Sequence, residues 1–420
     1  MKTIKNLFLG ITAVALAASY SALENHELQE GKWRGEFAFE RHRVPFNFVV
    51  EDDTAALVRV SLLNADEKAS LDSVYYKGDS VVIPINVFDA LLIGKVKGDS
   101  LKGYLRKNQI AKQGIPFSAA KNQTYRFSVS DSTSSHTVNG KWSVNLISER
   151  DGKPSTRYTV GLLDQKGNRV TGTILTTTGD YRYLEGVLDG TNLKLSSFSG
   201  SNPSLIQASL IDSLHLKGEF ISPGGKVILE ATKSDTAHLP DPYTLTFLKP
   251  GFERLAFSFP NLKGEPVSLT DEQYQGKVVV LNISGSWCPN CVDEASFLSP
   301  WYNENKSKGV EVLTLSFERK DDFNFAKERI GTFKKRFGIE YEVLFAGIAD
   351  KKIVAEKLPQ LNTFLSFPTT IFIDKNGKVR KVHTGYNGPA TGKYYQEFVK
   401  EFNDTVNGLL SEPIGKQNGI

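Results

Sequence analysis

The chain reads as a multidomain protein. An all-β N-terminal half, a duplicated module forming a sandwich or barrel, precedes a C-terminal α/β domain. Three observations predict this. Alternating apolar stretches such as VPFNFVV (44–50), TRYTVGLL (156–163) and GKVILEAT (225–232) recur between Gly, Asp, Asn and Ser up to residue 233. A G-K-W start occurs at 31–33 and again at 140–142, and about seventy residues after each comes a matching end, GDSLKGYL (98–105) and IDSLHLKGEF (211–220). Beyond residue 243, strand-like runs alternate with helical periods, and the chain's 2 cysteines stand there as Cys288-Pro-Asn-Cys291.

Residues 1–22 carry Lys2 and Lys5 ahead of an apolar run from Leu7 to Ala18, closed by small residues. That is the layout of a secretory signal, and the run falls short of the ~20 residues that span a bilayer. No cysteine lies near the cleavage zone, which argues against a lipid anchor. No later stretch is apolar enough for a membrane span. The mature protein is therefore expected to be exported, to the periplasm or cell envelope. Hydrophobic residues make up 40% and charged residues 23%, with a net charge of +4. The lysines are scattered among acids with no basic stripe, so no nucleic-acid partner is expected.

The first β-rich module is placed at 31–127 and the second at 139–233, joined by the polar linker SVSDSTSSHTVN (128–139). Inside the first, VYYKGDSVVI (74–83) resembles VLDGTNLKLSSF (187–198) in the second. Trp33 and Trp142 are read as core aromatics at equivalent places in the duplication rather than ligand-stacking platforms. Asp99 and Asp212 are read as turn formers.

After the linker SDTAHLPDP (234–242), the C-terminal domain is placed at 243–411, with a disordered tail at 412–420. KVVVLNIS (277–284) is a buried parallel strand that runs straight to the thiols. Pro289 suits the first turn of a helix, so Cys288 is placed at the helix N-terminus. There the free N–H groups favour a thiolate, and such thiols ionise more readily than free cysteine. Cys291 lies one turn further in, placed to attack a mixed disulfide. Glu294 shares its helical face and is positioned to take its proton, while Asp293 is read as an exposed neighbour.

GVEVLTLSF (309–317) and YEVLFAG (341–347) are read as strands, with a helix over 321–338 between them, ended by Gly338. A helix over 349–365 is interrupted at Pro359. TTIFID (369–374), the turn KNGK (375–378) and VRKVHTG (379–385) form a hairpin, with His383 exposed on its second strand. A last amphipathic helix covers 392–410. Exported proteins often carry structural disulfides, but this chain keeps only one Cys-x-x-Cys pair. Of its 6 histidines none makes an H-x-x-x-H pair and only His383 follows the motif, which argues against zinc. No metal or cofactor is expected.

Trp287-Cys288-Pro-Asn-Cys291 after a hydrophobic strand, followed at a distance by Phe367-Pro368-Thr369-Thr370-Ile-Phe-Ile-Asp374, resembles the thioredoxin superfamily. Within it, the motifs are similar to the TlpA/ResA branch of exported thiol-disulfide oxidoreductases, part of the redoxin group that includes the AhpC/TSA peroxiredoxins. The resemblance covers roughly residues 255–410. It implies a thioredoxin fold, Cys288 as nucleophile, Cys291 as resolving cysteine, a redox-active disulfide between them, and Glu294 as the acid that tunes the thiols. It also implies a cis Pro368 beside the thiols, and Asn282 where thioredoxin itself carries a buried acid. The branch often has Glu-x-Pro where this chain reads Glu294-Ala295-Ser296. Trp287, Phe367, Pro368 and Thr369, with Phe364, are expected to bind a client strand. The partners implied are disulfide-containing client proteins and a membrane or periplasmic thiol donor. The β-rich half resembles extensions that precede such domains in bacterial envelope proteins. A thiol peroxidase and a ligand-binding β module carrying a redox domain are the alternatives. Against the first, ISGSWC offers no P-x-x-x-T-x-x-C before Cys288.

Overall fold

The computed structural model describes residues 27–53, 57–107, 114–130, 135–150, 152–200 and 202–414. The predicted signal, most of the predicted tail and part of the 128–139 linker lie outside them.

The β-rich half is two antiparallel sheets, each of 9 strands, over Gly31–Lys121 and Gly140–Lys233. Both follow one plan. The first strand hairpins with the second and pairs with the last, so Trp33 lies opposite Lys121 and Trp142 opposite Lys233. Each indole is fully buried, and its N–H donates to the carbonyl four residues upstream, Gln29 (2.9 Å) or Val138 (2.8 Å). Buried indoles need such a partner, and the identical solution in both sheets is the duplication seen in three dimensions. In the second sheet Lys153–Lys166 also pairs with Arg169–Thr176, which closes a barrel and removes its edges. The first sheet stays open between Glu67–Ser70 and Tyr75–Lys77. Its aromatic core, Phe37, Phe46 and Phe117, packs on Phe198 of the barrel, so the first module's core extends onto the barrel, which keeps a second core of its own around Trp142. Arg126 spans the joint, donating to Pro45 O, Leu63 O and Glu185.

The C-terminal domain is a five-stranded mixed sheet flanked by helices. We label its strands β1 (Val278–Ser284), β2 (Val310–Glu318), β3 (Glu342–Ile348), β4 (Thr369–Ile373) and β5 (Val379–Thr384). The helices are α1 (Pro289–Asn305), α2 (Phe323–Phe337), α3 (Lys351–Lys357) and α4 (Lys393–Ser411). The order is β3-β2-β1-β4-β5, with β1 to β3 parallel and β4 and β5 antiparallel to their neighbours. Every residue of β1 is buried, as its continuous apolar run predicts for a central strand. Asp322 caps α2 and Gly338, at φ 62, ends it. The helix predicted over 349–365 is shorter: it stops at Lys357, two residues before Pro359, because the residue before a proline is held out of helical backbone. No helix among the described residues is long and apolar enough to cross a membrane.

Candidate active site

Strand β1 delivers the thiols. After Ser284 the chain turns through Gly285, Ser286 and Trp287 into α1, with Cys288 as its N-cap and Pro289 at the first position. The Cys288 sulfur accepts the Cys291 N–H at 3.3 Å. That N–H is one of the helix's unsatisfied donors, and it bonds better to a negative sulfur than to a neutral one. Cys288 itself reaches the Phe367 carbonyl at 3.5 Å. Both cysteines are free thiols, Cys288 5% and Cys291 1% exposed. Burial, with Cys288 and Glu294 beside it, raises the Cys291 thiol well above the ordinary range. Cys291 therefore stays protonated until a base takes its proton.

Glu294 is that base's natural candidate. It is 3% exposed and accepts from Asn282 Nδ2 and Thr370 Oγ1, each at 2.5 Å. Asn282 on β1 and Thr370 on β4 are direct register partners, so the sheet itself presents the two donors as a pair. Burial lifts Glu294 to about 7, against the pull of these two hydrogen bonds. It can thus exchange a proton near neutral pH.

The Phe367–Pro368 peptide is cis and stands beside Cys288. Trp287 packs edge-on to Phe367 at 5.5 Å, and Phe364 to Phe367 at 4.8 Å. Thr369 is fully buried and donates to Ser366 O at 2.8 Å, so its hydroxyl shapes the loop and presents no surface. Trp287 donates its indole N–H to Phe317 O at 2.9 Å, and the Arg319 guanidinium lies 4.7 Å over its ring.

Glu318 was not legible from the sequence. It is 1% exposed at the end of β2 and accepts from Ser286 N (3.1 Å), Ser286 Oγ (2.7 Å) and Ser316 Oγ (2.7 Å). It thereby pins the turn that carries Trp287 and Cys288. The S-G-S turn before the thiols was the available signal, because such a turn needs a buried acceptor for its donors.

Besides Thr369, which was expected to meet a client, two residues depart from expectation. Asp293 is not an exposed neighbour: its side chain is 14% exposed and pairs with Arg182 of the barrel at 2.8 Å. His383 is not on the surface: it is 3% exposed, packed between Tyr243 and Phe398. Its Nδ1 bonds Gly385 O, and burial lowers it to about 4, so it is neutral and does not titrate at physiological pH. In both cases the covering residues come from segments remote in sequence. Among the described residues no group of His, Cys, Asp and Glu could hold a metal ion.

A model described as the AhpC/TSA family matches residues 251–382. Thiol-disulfide oxidoreductase ResA of Geobacillus thermodenitrificans is 32% identical over 144 residues, which are 34% of this chain and 74% of that protein. ResA of Bacillus subtilis is 28% identical over 144 residues, 34% of this chain and 72% of that one. Among solved structures, a putative thiol:disulfide interchange protein DsbE from Chlorobium tepidum aligns with 22% identity and a TM-score of 0.30, covering 38% of this chain and 99% of its own. Through its C-terminal domain, this chain belongs to the AhpC/TSA family and is a thiol-disulfide oxidoreductase similar to ResA.

Proposed function

We propose that this protein is exported to the cell envelope and reduces disulfides of client proteins through Cys288 and Cys291. The observation that carries the reading is the pairing of the two sulfurs. One caps α1 beside the Phe367 carbonyl, and the other is buried one turn below it with Glu294 close by. The Cys288 thiolate attacks one sulfur of a client disulfide. The client S–S bond breaks, its other sulfur leaves with the electron pair and takes a proton, and a mixed disulfide forms. Cys291 gives its proton to Glu294 and attacks Cys288, so the second client sulfur departs as a thiol. Two electrons have passed to the client, and the enzyme holds a Cys288–Cys291 disulfide. A thiol donor at the membrane or in the periplasm restores the dithiol by the same exchange in reverse. Trp287 and Phe367 supply an apolar wall, backed by the buried Phe364, and the backbone beside Pro368 aligns the client strand by β-pairing. Export rests on the basic start and short apolar run of residues 1–22.

Reduction of insulin disulfides by the reduced protein, with Cys288→Ser as control, tests the reading. A redox potential below about −150 mV is expected, and a more oxidising value would make the protein an oxidase. One observation favours a second reading, thiol peroxidase: the Arg319 guanidinium lies 4.7 Å over the ring of Trp287, the residue next to Cys288. Consumption of hydrogen peroxide with a thiol donor, without insulin reduction, would establish it.

A further inference from the structure

The β-rich half does not stand apart from the thiols. The turn that follows barrel strand Arg169–Thr176 reaches across to the redox domain and lies on the ground the mechanism assigns to a client. Ser366 Oγ, two residues before Pro368, donates to Thr178 O at 3.0 Å. Gly385 is pressed so close to Thr178 that a Cβ there would meet its carbonyl carbon at 2.8 Å. Gly179, at φ +138, lies against Asn290 of the Cys-Pro-Asn-Cys motif, and a Cβ at Gly179 would meet its side-chain amide at 1.6 Å. With its amide turned to match, Asn290 donates to Asp180 O (3.2 Å) and accepts from Asp180 N (3.1 Å). A side-chain amide thus pairs with both main-chain groups of one residue, as a neighbouring strand would.

The turn is fastened. Asp180 Oδ2 accepts Gly388 N at 2.7 Å, and its Oδ1 holds Arg182 N at 2.6 Å, which keeps Arg182 at φ 55. Arg182 then pairs with Asp293 of α1 at 2.8 Å and Glu67 of the first sheet at 2.5 Å, and reaches Pro289 O at 3.3 Å. One guanidinium joins all three parts of the chain beside the thiols. Around this latch the seam is mixed and incompletely filled: Val87 and Phe88 pack against the cores on both sides, with polar contacts beside them. Arg329 donates to Asn86 O and Arg336 to Ser70 O, and a groove of about 320 Å³ runs past Lys68, Asp72, Val292 and Ser296. Interfaces of this kind between parts of one chain permit relative motion.

We propose that the Thr176–Arg182 turn occupies part of the client groove beside Pro368, latched there by Arg182, so that the β-rich half screens disulfides by size before they reach Cys288. The inference rests on the client-reductase reading of the same site. Small disulfides enter from the Trp287 side with the turn in place. A disulfide on a protein surface requires the turn to lift. Arg182 is a positioning residue in this scheme, and Gly179 is required because any side chain there displaces the turn from Asn290.

The test compares rates on the reduced full-length protein. Cys288 is alkylated by iodoacetamide and by a maleimide carried on a long polyethylene glycol chain, with glutathione as the unhindered reference. Relative to glutathione, the bulky reagent is expected to be disfavoured about tenfold or more on the wild-type protein, since only the opened fraction reacts. Arg182→Ala and Gly179→Val should each shrink that penalty and raise insulin reduction relative to reduction of a small aromatic disulfide. A wild-type size ratio equal to that of glutathione overturns the proposal, whether or not the variants fold. So does an unchanged ratio in a variant that keeps its cooperative unfolding transition. If the small disulfide is not reduced at all, it is the exchange chemistry that fails, and the size ratio still decides the screen separately.

Discussion

Asp293 and Glu294 are adjacent acids on one turn of α1, and each answers to a different half of the molecule. Glu294 points into its own sheet, where Asn282 and Thr370 bond it. Asp293 points out of it, to Arg182, with Asp180 and Glu67 nearby. Burial raises both to about 7, but the neighbours differ in kind: neutral donors around one, an ionic cluster around the other. The difference separates two tasks. The exchange chemistry is set within the redox domain, and the surroundings of its entrance are set by the β-rich half.

That separation can be broken by substitution. Cys288→Ser should lower disulfide exchange by more than about a thousandfold with no loss of folding, measured by insulin turbidity and thermal unfolding. Trp142→Ala or Trp33→Ala should do the reverse, removing about 3–5 kcal/mol of stability in a urea titration while turnover per folded molecule persists. If either tryptophan variant lost exchange while still folded, the β-rich half would be part of the chemistry.

Glu294→Gln sharpens the comparison further. The resolving step should slow on the order of a hundredfold, seen as accumulation of mixed disulfide in rapid-quench experiments. Its pH signature has a definite sign. The folded carboxyl, raised from 4.5 to about 7, keeps a proton that the unfolded chain loses in that interval. Stability from this group is therefore full below pH 4.5 and falls as pH rises through 7, by on the order of 3 kcal/mol. Glu294→Gln should remove that decline, so its unfolding midpoint should exceed the parent's at pH 8 and match it near pH 4.5. The smallest effect belongs to Ser286→Ala. It deprives buried Glu318 of one donor and should cost about 1 kcal/mol in chemical denaturation.

The sequence made the thiols legible because their determinants are local. A continuous apolar strand, a proline at the first helical turn and a spacing of three to Glu294 place all of them within one strand and one helix. The duplication was legible for the same reason, since Trp33 and Trp142 repeat one local solution. What escaped depends on distant contacts. Asp293 looks solvent-facing by helical spacing, and Arg182, 111 positions earlier in the chain, pairs with it and helps bury it. His383 lies on the sheet's edge strand, which suggests exposure, yet Tyr243 and Phe398 cover it. Glu318 ends an apolar strand as any surface acid might, and its three donors come from a turn 32 residues away and from Ser316. No periodicity in the strand or helix carries that information.

The most direct test of the exchange mechanism uses the reduced Cys291→Ser protein and a disulfide-bonded protein client. With the resolving thiol gone, the client should remain joined to the enzyme, and peptide mapping should place the bond on Cys288, releasable by dithiothreitol. Failure to form any such adduct, with Cys288 still open to iodoacetamide, would contradict the account.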